Sequence, residues 1–344
     1  MIQSRKCFVA TVLGASTFGG PALAAIVHVP EEQPTIQDAV GVASAGDVIE
    51  VGPGNHCGAT LDKPLRLVGR GHPTIVGCDG GPALANGTRI GFFLPGVNGD
   101  SAASGSAIVG FTFDGRGVSN ANLDPIALGV FGRFANDVVV ERNRFLGTVQ
   151  AVTNTAGDRW TIAHNTVTGL TLFDCTRFCA GGDGIVVQIA RGALAAPGGS
   201  AAAVNRPEGN VVEHNRVDGT IPDGFDVFNM AGILVFAADG TTVVHNDVAI
   251  PDNPTANALG EGILVTNVCC GEATPLLPGA RNTIVAFNDG RDSELGVVVD
   301  GTGGENTEGL VLEHNRGLVV VEGVELTSQR RGAMRTAVTK HTIF

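Results

Sequence analysis

The sequence has 344 residues with 50 glycines, 16 prolines, no tyrosine and only 16% charged residues. This composition excludes a coiled coil or a helical bundle, which need many helix-favouring charged residues. The net charge of −12 argues against nucleic acid as a partner, because phosphate binding needs clustered Lys and Arg. After the N-terminus no apolar run reaches the roughly 20 residues that span a bilayer as a helix. We therefore expect no membrane span.

Residues 1–25 have the pattern of a secretory signal peptide. Two basic residues precede an apolar stretch, and Ala22-Leu23-Ala24 supplies a small-residue cleavage site. We therefore expect a secreted or periplasmic protein. Its remaining cysteines would then meet an oxidising compartment, where disulfides form and persist.

Two short elements alternate along the rest of the chain. The first is a β-branched run that ends in an asparagine, and it recurs with Asn143, Asn165, Asn215, Asn246, Asn288 and Asn315. The second is a glycine followed by an apolar run, at 184–188, 232–236, 262–266 and 296–300. Both have the composition of strands, and the Gly-, Pro- and Ala-rich segments between them lack helical periodicity. Short strands without crossover helices predict a parallel solenoid in which each coil stacks on the previous one.

This pattern resembles the right-handed parallel β-helix proteins of the pectin-lyase-like superfamily, over roughly residues 34–322. The front end also fits, since Thr35 can cap a short amphipathic helix whose apolar face would close the core. The resemblance implies an all-β, single-stranded right-handed parallel β-helix with a short N-terminal capping helix. We assign this domain to residues 26–326 and expect 327–344 to be a basic tail.

The Gly-apolar runs also predict the register of the coils. When they are aligned, Ile185, Ile233, Ile263 and Val297 fall in one column. Each coil must bury its apolar side against its neighbours. We therefore expect these four side chains to be stacked in the core.

The same alignment brings carboxylates together. Asp183 and Glu261 fall in one column, two coils apart. Their backbones would be about 9–10 Å apart, which suits an acid and a base that flank a water molecule. Asp223 and Asp226 precede the intervening coil and could enter the same cleft as catalytic groups or as calcium ligands. The alternative is that all four are turn residues, because Asp and Glu beside Gly are common there.

Two functions remain open from the sequence. The superfamily resemblance favours an exported enzyme that acts on a polysaccharide by lyase or hydrolase chemistry, with Asp183, Glu261, Asp223 and Asp226 as its candidate catalytic residues. The alternative is a non-catalytic β-helix that binds a glycan or serves as a surface structural protein. The missing tyrosines, and the absence of polygalacturonase and alginate-epimerase motifs, favour this alternative.

The residue before each repeated asparagine forms another polar column. It is Arg142, His164, His214, His245, Phe287 and His314 in successive coils. Stacked histidines could suggest a metal site, but the same position also accepts Arg and Phe, which favours a structural role. We expect the asparagines to adopt left-handed turn conformations and to stack their amides.

The cysteines are expected to form disulfides. Cys57 and Cys78 are 21 residues apart, about one coil, so they should approach within disulfide distance. Four more lie in two groups, Cys175 with Cys179 and Cys269 with Cys270. These four could pair or bind zinc or copper, and their pairing stays open.

Overall fold

The computed structural model describes residues 24–97, 99–173, 182–190, 205–225, 229–256, 258–267, 279–301, 308–322, 328–330 and 335–336. In this part of the chain the structure is built from short strands and one helix. No helix there is long and apolar enough to cross a membrane.

The strands, numbered in chain order, form three sheets whose neighbours pair in parallel. Sheet A contains β1 (Ile26–Val29), β2 (Val48–Val51), β5 (Arg66–Gly69), β8 (Ala107–Val109), β11 (Val139–Glu141), β14 (Thr161–Ala163), β17 (Val211–Glu213), β20 (Thr242–Val244), β23 (Ile284–Ala286), β25 (Val311–Glu313) and β27 (Ser328–Arg330). Sheet B contains β3 (Asn55–Cys57), β6 (Thr74–Val76), β9 (Thr112–Asp114), β12 (Arg144–Leu146), β15 (Thr166–Leu170), β18 (Arg216–Gly219) and β21 (Asp247–Ala249). Sheet C contains β4 (Ala59–Thr60), β7 (Ile90–Leu94), β10 (Leu128–Arg133), β13 (Gln150–Thr155), β16 (Ile185–Gln188), β19 (Met230–Phe236), β22 (Gly260–Thr266), β24 (Leu295–Asp300), β26 (Leu318–Glu322) and β28 (Arg335–Thr336).

The core register follows the Gly-apolar runs. Ile185 pairs with Ile233, Ile233 with Ile263, and Ile263 with Val297. All four are buried in one continuous apolar cluster. The predicted column is therefore confirmed, and with it the parallel stacking of coils.

The glycine that begins each run is required by close packing. A Cβ atom on Gly232 would lie 2.2 Å from Val248 Cγ1, and one on Gly262 would lie 2.5 Å from the Gly296 carbonyl oxygen. Real Cβ atoms do not approach other heavy atoms this closely. These two positions within β19 and β22 therefore require glycine.

The single helix, α1 (Ile36–Val42), lies between β1 and β2 in the chain. The Thr35 hydroxyl accepts a hydrogen bond from the Asp38 amide at 3.0 Å, so Thr35 is the N-cap residue. Ile36, Ala39 and Val40 are buried in the main apolar cluster. The amphipathic pattern thus predicted the helix and its buried face correctly.

The repeated asparagines form a buried ladder, but the prediction about their backbone was wrong. The left-handed residue is the one before each asparagine, for example His214 with φ 53° and Phe287 with φ 58°. The asparagine side chains stack as expected: Nδ2 of Asn215 donates to Oδ1 of Asn246 at 3.0 Å. His tolerates the left-handed conformation about as well as Asn, so the preceding residue can make the turn while the asparagine turns its amide inward.

The predicted Cys57–Cys78 disulfide is present, with the two Cα atoms 5.5 Å apart. The other four cysteines outside the signal segment lie outside the described residues, as does nearly all of the signal segment itself. Within the predicted tail at 327–344, β27 pairs with β25 and β28 pairs with β26.

Candidate active site

Sheet C brings one of the predicted carboxylates into an unusual environment. Glu261 lies on β22, between Ala231 on one neighbouring strand and Leu295 on the other. Asp183 precedes Ile185 by two residues, just as Glu261 precedes Ile263 by two, and Ile185 and Ile263 lie two coils apart in one column. Glu261 is 1% exposed, whereas Asp183 is half-buried.

The hydrogen bonding of Glu261 is incomplete. Its Oε1 accepts a bond from Asn229 Nδ2 at 3.2 Å. Its Oε2 is buried and has no hydrogen-bond partner among the described residues. A buried polar atom without a partner costs about 1–3 kcal/mol, and more when the group is charged. This cost favours the neutral carboxylic acid over the charged carboxylate. The neutral form also has an O–H group that can donate a hydrogen bond.

Burial and neighbouring charges raise the pKa of Glu261 to about 8. Desolvation is the largest cause, followed by the charge of Asp183, with smaller contributions from Asp300 and Glu294. The hydrogen bond from Asn229 opposes the shift. Every charged group among the described residues that contributes is a carboxylate. Glu261 is therefore protonated at neutral pH, as a general acid must be before it donates.

Two residues that complete this cluster were not identified from the sequence. Asn229 bonds to Glu261 and also accepts from the Leu259 amide at 3.0 Å, so it fixes the entry to β22. Glu294 accepts from the Gly260 amide at 2.9 Å. A signal for Asn229 was available, because it stands two residues before Ala231, at the entrance to the strand beside β22.

The hydrogen bonds of Asp223 are made to residues outside this cluster. Its Oδ1 accepts from Asn253 Nδ2 at 3.0 Å and from Thr255 Oγ1 at 2.9 Å. These two bonds lower the pKa of Asp223, which is exposed. It ties two successive loops together and is not among the groups that shift the pKa of Glu261. Asp226 lies outside the described residues.

No three His, Cys, Asp or Glu side chains of the described residues are arranged so that they could hold a metal ion. Since Asp226 is not described, calcium binding by Asp223 and Asp226 stays a prediction. Within the described cluster, the chemistry available is proton transfer by a buried carboxylic acid beside a half-buried carboxyl group.

No protein family model and no curated protein matches the sequence. Among solved structures, the chain is similar to PfbA, a surface adhesin of Streptococcus pneumoniae, at 13% identity and a TM-score of 0.52, over 87% of this chain and 76% of the adhesin chain. It is also similar to an alginate lyase from Paenibacillus sp. str. FPU-7, at 13% identity and a TM-score of 0.42, over 84% of this chain and 95% of the lyase chain.

The likeness to the adhesin shows a shared fold. Together with the three parallel sheets, it shows that the chain folds as a parallel β-helix. The fold predicted from the alternating repeat elements is thus confirmed. Because proteins of this fold have unrelated functions, function has to be argued from the site.

Proposed function

We propose that the protein is an exported, right-handed parallel β-helix that acts on a polysaccharide, with helix α1 as its N-terminal cap. Glu261 is the general acid and Asp183 is the partner carboxyl group. The observation that carries the proposal is the raised pKa of Glu261, a carboxyl group that is 1% exposed and whose Oε2 has no partner in the part of the chain that the structure describes. Perturbed carboxyl groups of this kind concentrate at functional sites.

The chemistry we propose is hydrolysis by a pair of carboxyl groups with room for a water molecule between them. Two coils place the backbones of Asp183 and Glu261 about 9–10 Å apart. In this scheme Glu261 protonates the oxygen of the leaving sugar. Asp183 takes a proton from the attacking water molecule.

Export is supported by the predicted signal peptide and by the Cys57–Cys78 disulfide. A polysaccharide as the substrate is supported by the resemblance seen in the sequence, and the alginate lyase from Paenibacillus is one enzyme that the chain resembles in structure. The experiment that tests for activity also decides between lyase and hydrolase chemistry.

The second candidate function is a glycan-binding or surface structural protein without catalysis. The observation that favours it is the same burial, because a side chain that is 1% exposed can also be a purely structural element of the sheet. The adhesin that shares the fold illustrates such a use of a β-helix.

The deciding experiment is a screen of the mature protein against neutral and acidic polysaccharides, each with and without calcium. We expect Glu261→Gln and Asp183→Asn each to lower turnover by at least about 100-fold while the protein stays folded. Full activity in both variants would show that the active site lies elsewhere in the protein. Binding without turnover in the wild type would favour the second candidate.

A further inference from the structure

A second feature lies at a different corner of the coil, between sheets A and B. In six successive coils one exposed residue follows the sheet A strand and precedes a ladder asparagine, and we call this column the corner stripe: Arg142, His164, His214, His245, Phe287 and His314. All six have φ between 53° and 58°. The repeated left-handed turn therefore holds every side chain in the same place on successive coils.

The rings of the corner stripe stack face to face. From His164 to His314 the ring centroids are 4.8–5.2 Å apart, with interplanar angles of 4–15°. Because neighbouring faces cover each other and the residues are exposed, the ring edges are turned to solvent. The stripe is thus a row of ring edges, most of which carry imidazole nitrogens that take part in hydrogen bonds.

The stripe borders an open groove near its C-terminal end. The groove has a volume of about 600 Å³ and is lined by His245, Phe287, Asn288, Asp289, His314, Asn315 and Arg316. Ligand sites of proteins have volumes of about 300–1,000 Å³. Phe287 is 48% exposed, although large apolar side chains are mostly buried. The groove is therefore large enough for a ligand and offers it an apolar contact beside polar groups.

The carboxylates and guanidinium groups at the groove are of mixed sign. Arg316 Nη1 lies 3.5 Å from Asp289 Oδ2, and Arg291 Nη2 lies 2.6 Å from the same oxygen. Asp292 and Asp247 also act on Arg291 electrostatically. Among these groups an acidic polymer would meet at least as many like charges as opposite ones. The groove therefore favours an uncharged ligand.

A sugar unit matches these contacts, because it combines apolar C–H groups with hydroxyls that both donate and accept hydrogen bonds. Phe287 can contact the C–H groups. The ring nitrogens of His245 and His314 can bond to hydroxyls. The carboxylate of Asp289 can accept from a hydroxyl, and the guanidinium of Arg316 can donate to one.

We infer that the corner stripe and its groove bind a linear neutral polysaccharide. Six positions spaced by about 4.8 Å give a straight row about 24 Å long, which suits an extended chain better than a compact ligand. The inference does not depend on the catalysis proposed for Glu261, because Glu261 lies on sheet C and the stripe lies between sheets A and B. This site holds a polymer whether or not it is cleaved.

The test measures binding of two neutral hexasaccharides, cellohexaose and mannohexaose, and of the acidic hexagalacturonate. They are titrated by calorimetry into the Glu261→Gln variant, so that turnover cannot consume them, at pH 8, above the ordinary pKa of imidazole. We expect at least one neutral hexasaccharide to bind at least about tenfold more tightly than hexagalacturonate. Added salt should leave this affinity unchanged, because the ligand carries no charge to be screened.

Histidine ring resonances locate the bound sugar. With nitrogen-15 labelling of the histidines, the neutral hexasaccharide should shift the ring signals of His245 and His314. The signal of His72 should stay in place, because His72 is also exposed and left-handed, with φ 56°, but lies outside the stripe. Each signal is assigned by its absence in the corresponding His→Asn variant.

A double variant removes two neighbouring rings at the groove. His245→Gly with Phe287→Gly deletes both, and glycine adopts their left-handed conformation without strain. The matched control is His72→Gly. The double variant should bind at least about tenfold more weakly than the parent, and the control should bind like the parent. If circular dichroism shows that the double variant is unfolded, His245→Asn with Phe287→Asn replaces it, because asparagine also tolerates this conformation.

Four binding results would overturn the inference. They are binding of neither neutral hexasaccharide, hexagalacturonate binding as tight as neutral binding, ring signals that shift only outside the stripe, and a folded double variant that keeps the parent's affinity. Sedimentation of the parent and the double variant adds one more. Self-association that the double variant loses would assign the stripe to a contact between two copies of this chain.

Discussion

Two sets of buried polar side chains in this β-helix differ in how completely they are hydrogen-bonded. In the asparagine ladder each Nδ2 donates to the next Oδ1 at 2.9–3.2 Å, and the asparagines also bond to main-chain groups. Glu261 has one bond of 3.2 Å and a buried oxygen without a partner among the described residues. The ladder repeats in six coils, whereas Glu261 has apolar column neighbours in Ala231 and Leu295.

This difference separates scaffold from candidate site. A satisfied polar ladder that recurs in six coils stabilises their stacking and specifies its register. A single buried acid without full satisfaction costs stability, so its presence calls for another reason, such as proton transfer.

The largest effect is expected at the centre of the ladder. Asn215→Ala removes the Oδ1 that accepts from the main chain and side chain of Asn165, and the amide that donates to the Ile162 carbonyl and to Asn246. Several buried groups lose their partners, so we expect the free energy of unfolding to fall by about 4 kcal/mol. Urea titration measures this change.

The matched control is the last asparagine of the ladder. Asn315 accepts from Asn288 and donates to the Val285 carbonyl. Its side chain makes three such bonds among the described residues where that of Asn215 makes four, so Asn315→Ala should cost about three-quarters as much. Losses below about 1 kcal/mol in both variants would show that the ladder does not stabilise the fold.

The next effect concerns the pH dependence of stability. The pKa of Glu261 rises from an ordinary value of 4.5 to about 8 on folding. Below the ordinary pKa of 4.5, Glu261 is protonated in both the folded and the unfolded protein, so its burial does not require a charged group to lose its hydration. As pH rises toward the folded pKa, the unfolded state releases its proton first and stability falls, by about 3 kcal/mol between pH 5 and pH 8.

Glu261→Gln should remove this decline, because glutamine does not ionise. Unfolding free energies of the wild type and the variant should therefore diverge between pH 5 and pH 8, with the variant more stable at the higher pH. Glu31 is exposed, so Glu31→Gln serves as the control, and its free energy of unfolding should fall with pH as that of the wild type does. Parallel pH curves for the wild type and Glu261→Gln would show that the carboxyl group is not perturbed.

A smaller effect is expected beside the ladder, where the backbone conformation matters more than the side chain. His245 has φ 56°, a conformation that costs β-branched residues about 1–2 kcal/mol. His245→Val should lower the free energy of unfolding by that amount, while His245→Asn should leave it nearly unchanged. Similar losses in both variants would indicate that the ring stack, and not the turn, determines stability here.

The smallest effect is expected at Asp223, whose hydrogen bonds are filled and whose carboxylate is exposed. Because its pKa is lowered in the folded state, its contribution is present above the ordinary value and is lost as pH falls through the folded pKa. Asp223→Asn should be slightly less stable than the wild type at neutral pH and equal to it in strong acid. Thermal midpoints across this range measure the difference.

The sequence predicted the features that repeat. The column from Ile185 to Val297 followed from the Gly-apolar runs, because the same close packing recurs in these four coils. The left-handed residue was assigned to the wrong member of each pair, since Asn and His both tolerate that conformation and only the buried hydrogen bonds of Asn215 and its equivalents decide between them.

The candidate site was predicted less completely. The register placed Asp183 and Glu261 in one column, but the burial of Glu261 was not predicted. Its apolar neighbours Ala231 and Leu295 were a usable signal for that burial. Asn229 was not identified, although its position two residues before Ala231, at the entrance to the strand beside β22, was a usable signal.

The most direct test of the account is the titration of Glu261 itself. Carbon-13 labelling of the glutamate carboxyl groups, with assignment of the Glu261 resonance by its absence in Glu261→Gln, gives the protonation state at each pH. The account predicts that this resonance titrates near pH 8. Titration near the ordinary value of 4.5 would contradict it, because Glu261 would then be ionised at neutral pH and could not act as the acid.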